Sequence, residues 1–245
     1  MTDPDQPELP LSDMAMPDAP PPDAPPPDNP PPVITTSMMA VPDDRVEFER
    51  GMSYAPRTTL ALFAVLIGVF LWQLASGALA NQETIVGSGA LEQSHVYAGE
   101  AWRLVTATLL HGSPDHLIGN LIVLFIVGMG LEHALGSRQM LAVYVAAGLA
   151  GSLLSTVMSP GPSVGASGAI FGVLAGLVVV LYRHRDRIVV RDHRVAIVLA
   201  AWAAWQIFNG LLTPYIDNMA HIGGAIGGAA AAWFTEPVLF SRERS

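Results

Sequence analysis

Six stretches of the chain are almost free of polar positions. They run Thr58–Ala80, His116–Leu135, Met140–Met158, Gly168–Tyr182, Val195–Leu212 and Ala220–Phe234. A helix of a water-soluble bundle shows polar residues at helical spacing on its outer face, and these stretches show almost none. A helix crosses the hydrocarbon core of a bilayer with about 20 apolar residues, and several of the six are long enough. The pattern predicts an all-α, polytopic membrane protein with six transmembrane helices. Ahead of them, PDAPPPDAPPPDNPPP (Pro17–Pro32) has too little apolar surface to bury and predicts an extended, disordered segment. The expected organisation is a disordered, acidic, proline-rich tail over residues 1–50, a membrane domain over 51–236 and a short tail over 237–245.

Composition sharpens this division. Of the 245 residues 51% are hydrophobic and 13% charged, and the mean hydropathy is +0.42. The first 50 residues hold 14 of the 20 prolines and 11 of the 21 acidic residues, against two arginines, Arg45 and Arg50. That segment therefore carries the whole formal charge of −9, and the rest of the chain nets to zero. Cysteine is absent, which excludes disulfides, thiol nucleophiles and thiolate metal sites. Lysine is absent too, which excludes Schiff-base and serine–lysine chemistry. The neutral body has no basic face of the kind that binds nucleic acid. The first 30 residues have neither a basic start nor an apolar run, so no secretory signal is expected. The tail reads as a solvated spacer or as a proline-rich ligand for a cytoplasmic partner.

Arginine placement orients the spans. Arg45, Arg50, Arg57, Arg138, Arg183, Arg185, Arg187, Arg191, Arg194, Arg242 and Arg244 fall on one side of a six-span layout, and Arg103 falls on the other. Positive residues gather on the cytoplasmic side, so both termini are expected there. The run Arg183–Arg194 reads as a topology determinant, with lipid-headgroup binding secondary to it.

The polar residues that do enter the spans converge on one level. His111, Asp115, His116 and Asn120 surround the start of the second span, Ser167 opens the fourth, and Asn218 and His221 open the sixth. All three of these spans begin on the non-cytoplasmic side. The fourth offers 15 residues, about 22 Å of helix at 1.5 Å each, against a hydrocarbon core of roughly 30 Å. Ser167 is therefore expected below the membrane surface, beneath the irregular segment Ser159–Ala166. Irregular backbone at that depth is tolerated inside protein or along a watery cavity. Gly168, Gly172 and Gly176 recur every four residues on the fourth span, and Ala220, Gly224 and Gly228 do so on the sixth. Small residues at this spacing let membrane helices approach closely, which draws His221 toward Ser167.

A serine hydroxyl becomes an effective nucleophile when a neutral histidine takes its proton. Ser167 and His221 can form such a dyad, with Asp217 expected on the rim and outside it. His116 and Asn120, four residues apart on one helical face, can join the Ser167 N–H in stabilising an oxyanion. Three other readings stay open on these residues. His111, His116 and His221 can bind zinc, although HExxH is absent. Asp115 and Asp217 can form an aspartyl pair, although both sit at span edges. His116 and Asn120 can cross-link helices in a protein that holds membrane clients without cutting them.

At these residues the sequence resembles the rhomboid family of intramembrane serine proteases, over about Gly99–Trp233. GASG (Gly165–Gly168) is similar to the family's GxSG motif, AHIGGAIGG (Ala220–Gly228) to AHxxGxxxG, and HGSPDHLIGN (His111–Asn120) to HxxxxHxxxN. EAWR (Glu100–Arg103) resembles the Trp–Arg motif of the first outer loop, and Gly128, Glu132 and Gly136 match GxxxExxxG. The resemblance implies a rhomboid-like six-helix bundle in which Ser167 is the nucleophile, His221 the general base, and His116 and Asn120 the oxyanion support. It implies supporting structural roles for His111, Trp102, Arg103, Glu132, Gly165, Gly168, Phe171, Gly224 and Gly228. Trp102 is expected to anchor at the interface or shape the loop, and Glu132 to act as a hydrogen-bonding group. No metal or cofactor is implied. The implied substrates are transmembrane proteins, cut in or near their membrane segments after local unwinding. The implied location is the cell (inner or plasma) membrane, with the site toward the extracytoplasmic side. One position departs from the pattern: where some bacterial members carry tyrosine four residues after the nucleophile, this chain has Phe171, which keeps the ring and loses the hydroxyl.

Overall fold

The structure is a computed structural model that describes residues 45–52, 55–159, 161–213 and 216–242, with side chains described to residue 240. Residues 1–44, and with them the proline-rich segment read as a spacer or as a ligand for a partner, lie outside the described residues. Six apolar helices form the body: α1 (Arg57–Ser76), α5 (Pro114–Leu135), α6 (Ser137–Met158), α7 (Ser167–Arg183), α8 (Arg194–Leu212) and α9 (Asn218–Trp233). Among the described residues, α1, α5, α6 and α8 are long and apolar enough to cross a membrane. The other two are shorter, α7 with 17 residues and α9 with 16. Three short helices, α2 (Gln82–Gly87), α3 (Gln93–Tyr97) and α4 (Arg103–Thr106), fill the connection from α1 to α5, and α10 (Leu239–Arg242) closes the C-terminal end. This is the multi-pass helical bundle that the hydropathy pattern predicts.

Residue size sets how closely these helices pack. The α9 sequence HIGGAIGGAAAAW is built almost wholly of small residues, and it lies wedged against both α6 and α7. A Cβ placed on Gly168 would stand 2.9 Å from the Ala220 carbonyl oxygen, and one on Gly151 of α6 would stand 2.6 Å from the same atom. Cβ atoms on Gly224 and Gly228 would collide with the carbonyl oxygens of Gly168 and Gly172. The helices therefore touch backbone to backbone, which in a bilayer supplies the dispersion contacts that hold them together. Leu124, Val127 and Leu131 of α5, Val143 of α6, and Ile170 and Val173 of α7 fill the remaining interior.

Glu132 fastens the end of the bundle remote from Ser167. Its carboxylate accepts hydrogen bonds from the N–H groups of Thr58 and Thr59 at 2.9 Å each, and from the hydroxyls of Thr59 at 2.9 Å and Ser137 at 2.6 Å. It thus caps the orphan donors at the start of α1 from a neighbouring helix. Gly128, one turn earlier on α5, leaves room for Thr59, since a Cβ there would meet its hydroxyl at 2.9 Å.

Packed residues lie on both sides of the expected limits, 51 and 236, of the membrane domain. Val46–Glu47 forms a short strand, β1, paired in parallel with β2 (Ile188–Val189) in the connection from α7 to α8. Val46 and Phe48 are buried. Glu47 pairs with Arg191, and Glu49 accepts from the N–H groups of Arg191 at 2.9 Å and Asp192 at 3.1 Å. Residues 45–50 therefore belong to the folded body and not to the tail. Their alternation of apolar and acidic side chains is a half-buried strand signal that the acidic, proline-rich surroundings mask. Residues 237–240 pack too: Leu239 is buried, and the Phe240 ring lies 5.3 Å from that of His184 and 3.7 Å from the Arg187 guanidinium. Some of the arginines read as topology determinants are thus also tied into the fold.

Candidate active site

Ser167 is the first residue of α7. The preceding Ala166 supplies no side-chain cap, so the N–H groups of the first turn remain available as donors. Asp217 caps α9, which places His221 one turn into that helix and on the side facing α7. The wedge of glycine contacts closes the gap. His221 Nε2 and Ser167 Oγ stand 2.9 Å apart, a hydrogen bond between residues 54 positions apart in sequence. The imidazole is buried, and its Nδ1 has no hydrogen-bond partner among the described residues.

Phe171, one turn after Ser167, stacks face to face on His221 with ring centroids 4.4 Å apart and planes 9° from parallel. Phe171 also meets Trp202 of α8, with ring centroids 5.2 Å apart. The position that departs from the family pattern therefore keeps the contact that a ring face can supply.

The polar group on α5 faces the same region. The His111 and His116 rings meet edge to face at 5.1 Å. Asn120 Nδ2 lies 3.0 Å from His111 Nε2. Gly165 lies over both His116 and Asn120: a Cβ on it would stand 2.6 Å from His116 Cε1 and 3.7 Å from Asn120 Nδ2. Its φ of 131° is also one that side chains rarely adopt. The first glycine of GASG is thus required twice, by conformation and by space. Its N–H donates to the Ala107 carbonyl at 2.9 Å, which fixes the loop.

The loop before α5 is organised by Arg103. This buried guanidinium donates to the carbonyls of Val86 at 2.6 Å and Ala90 at 2.8 Å, and to Glu100 at 2.7 Å. Hydrogen bonds from His95 and Arg103 hold the Glu100 carboxyl below the usual carboxylate range. Trp102 keeps about half its surface exposed (49%), stacks on Arg103 at 4.7 Å, and packs against Gly89, where a Cβ would meet its ring at 2.8 Å.

Sequence reasoning missed the partners of two polar groups. Gln73 of α1 exchanges both hydrogen bonds with the His111 backbone, donating to its carbonyl at 3.1 Å and accepting from its N–H at 2.9 Å. Its signal was present, as a lone amide in an apolar span. Asp217, expected at the rim, accepts from Ser155 and Ser159 of α6 and its C-cap and from two N–H groups of α9. Of the other readings, Asp115 is exposed in the first turn of α5 while Asp217 is engaged at α9. Among the described residues no three histidine, aspartate or glutamate side chains group as metal ligands.

The fold and this site define a multi-pass helical membrane protein with a hydrogen-bonded serine–histidine pair between two short, glycine-lined helices. A family model described as the Rhomboid domain matches residues 98–237, more than half of the chain, and the chain belongs to that family. It is 40% identical over 180 residues to rhomboid protease GluP of Bacillus subtilis, covering 72% of this chain and 34% of that protein. It is 40% identical over 143 residues to RHOMBOID-like protein 5 of Arabidopsis thaliana, covering 57% of this chain and 46% of that protein. With rhomboid protease AarA of Providencia stuartii it shares 31% identity over 196 residues, covering 70% of this chain and 69% of the relative. The match thus spans less than half the length of the first two relatives.

Proposed function

We propose that the chain is an intramembrane serine endopeptidase that hydrolyses peptide bonds in or near transmembrane segments of membrane proteins. The observation that carries this reading is the 2.9 Å hydrogen bond between His221 Nε2 and Ser167 Oγ, at the start of a helix whose first N–H groups are uncapped. In this reading His221 takes the hydroxyl proton as Ser167 Oγ attacks the scissile carbonyl, then delivers it to the leaving amine. Water repeats the cycle on the acyl-enzyme and frees the serine. The developing oxyanion is met by the Ser167 N–H, the His116 ring and the Asn120 amide. Gly165, Gly168, Gly224 and Gly228 hold the backbone distances, His111 orients Asn120, Arg103 and Trp102 shape the neighbouring loop, and Phe171 holds the imidazole plane.

The same reading puts the protein in the cell membrane with both termini cytoplasmic and the dyad toward the extracytoplasmic side, supported by eleven of twelve arginines on one side of the six spans. A substrate segment then has to unwind at the dyad's level, because a helical peptide bond is shielded from attack by its own turns.

The test is cleavage of a model transmembrane substrate in liposomes by the full chain. Ser167→Ala and His221→Ala each lower the rate by roughly a thousandfold or more, and labelling by a fluorophosphonate requires both residues. Undiminished cleavage by Ser167→Ala overturns the dyad. Retention of the substrate without cleavage by the wild-type chain replaces the protease reading with that of a client-binding protein.

A further inference from the structure

Asp217 is the acidic side chain closest in sequence to His221, and it takes no place on the imidazole: the His221 Nδ1 that a third catalytic member would engage has no partner among the described residues. Its carboxylate is spent elsewhere. Oδ1 accepts from the N–H groups of Met219 at 3.1 Å and Ala220 at 3.0 Å, and from the Ser159 hydroxyl at 2.6 Å. Oδ2 accepts from the Ser155 hydroxyl. One half-buried group thus joins three things: the first turn of α9, the last turn of α6, and Ser159, where the chain leaves α6 for the loop that ends at Ser167.

Each leg of the dyad is referred to that carboxylate. His221 follows Asp217 by one helical turn, with its N–H on the Asp217 carbonyl at 3.3 Å, so the cap fixes the height and rotation from which the imidazole projects. Ser167 follows Ser159 by eight residues, and that segment is further fastened by Leu91–Ser163 pairing and by Gly165 on Ala107. The glycine wedge sets how near α9 comes to α6 and α7. Along these faces a slide of α9 on its own axis is opposed by van der Waals contact between backbones, and hydrogen bonds at its first turn add a directional restraint. A carboxylate that grips α6 at two hydroxyls and α9 at two N–H groups opposes that slide. A neutral, apolar residue here would also leave four donors without acceptors.

We infer that Asp217 is a positioning residue for catalysis, which locks α9 against the end of α6 so that His221 Nε2 stays in reach of Ser167 Oγ. The inference rests on the serine-protease reading, and its test separates the two. Asp217→Asn, Asp217→Ala, Ser159→Ala and Ser155→Ala are compared in the full chain, in liposomes, for kcat, KM, fluorophosphonate labelling rate and thermal unfolding. Asparagine caps a helix about as well as aspartate but offers one acceptor oxygen in place of two, so Asp217→Asn keeps the wild-type unfolding temperature while losing part of the grip on α6. A misplacement of the reacting groups by about 1 Å is worth up to a hundredfold in rate. The expected result is a kcat lowered roughly 10-fold in Asp217→Asn and up to 100-fold in Asp217→Ala. KM is unchanged and labelling slows in parallel. Ser159→Ala gives a smaller loss of the same kind that is not additive with Asp217→Asn. Wild-type kcat and labelling in a folded Asp217→Asn overturn the inference, as does a loss confined to KM or fully additive losses in the Asp217→Asn, Ser159→Ala double variant. If Ser167→Ala still cleaves, the serine-protease reading fails first; if it is inactive while Asp217→Asn is normal, only the role of Asp217 falls.

Discussion

The wedge of α6, α7 and α9 and the helix α8 are both apolar, and they behave as opposites. In the wedge, glycine and alanine bring backbones into contact, and carbonyl oxygens occupy the space where side chains would stand. In α8, RVAIVLAAWAAWQIFNGLL carries large side chains outward, and Leu199 is its one buried residue. Ile197, Val198, Trp205, Phe208, Leu211 and Leu212 are exposed. What ties α8 to the wedge near the dyad is brief: Trp202 against Phe171, and the Asn218 amide donating to the Ile207 carbonyl at 3.0 Å beside Gly210. Apolar character gets a helix into the bilayer, but residue size decides whether it is held there by protein or by lipid. The dyad lies in the part held by protein, and its pillar Phe171 touches both regions.

This contrast can be broken in order of severity. The largest effect is expected for Gly224→Val, whose side chain would have to displace the Gly168 carbonyl. Overpacking costs about 1–3 kcal/mol where side chains can yield, and here the obstacle is backbone. Cleavage should be lost and thermal unfolding should shift strongly downward. A next, smaller effect is expected for Phe171→Ala, which removes a stacked pair worth about 0.5–1.5 kcal/mol. It should lower kcat several-fold, while Phe171→Tyr should leave it near the wild-type value. Asn218→Ala removes one hydrogen bond to α8, worth about 1 kcal/mol, and hydrogen exchange should quicken in α8 while α6 and α7 stay protected. The smallest effect belongs to Ile197→Ala on the outer face of α8, within about 0.5 kcal/mol in unfolding. A cost for Ile197→Ala as large as that for Gly224→Val would sink the distinction between the two regions.

Much of this was legible in the chain. Helix positions follow from hydropathy because a spanning segment must satisfy its backbone internally, and the six observed helices begin within four residues of the expected spans. The glycine rows identified which helices approach. Val46 and Phe48 were obscured by the charge of the tail, although their alternation with Glu47 and Glu49 marks a strand. Gln73 went unread, although a lone amide in an apolar span is a signal in itself. It lies 38 residues from its partner His111, and no local pattern connects them.

The sequence by itself determined the six apolar helices of the body, the level at which polar side chains gather, and the small-residue faces that would meet, because these depend on composition and period along a single helix. Tertiary structure decided the rest. It set the 2.9 Å contact of Ser167 and His221, the turning of Asp217 away from the imidazole and onto α6, and the loose attachment of α8. Each is a property of helices relative to one another, set by which backbone atoms come into contact, and one helix's residues cannot specify the distance to another.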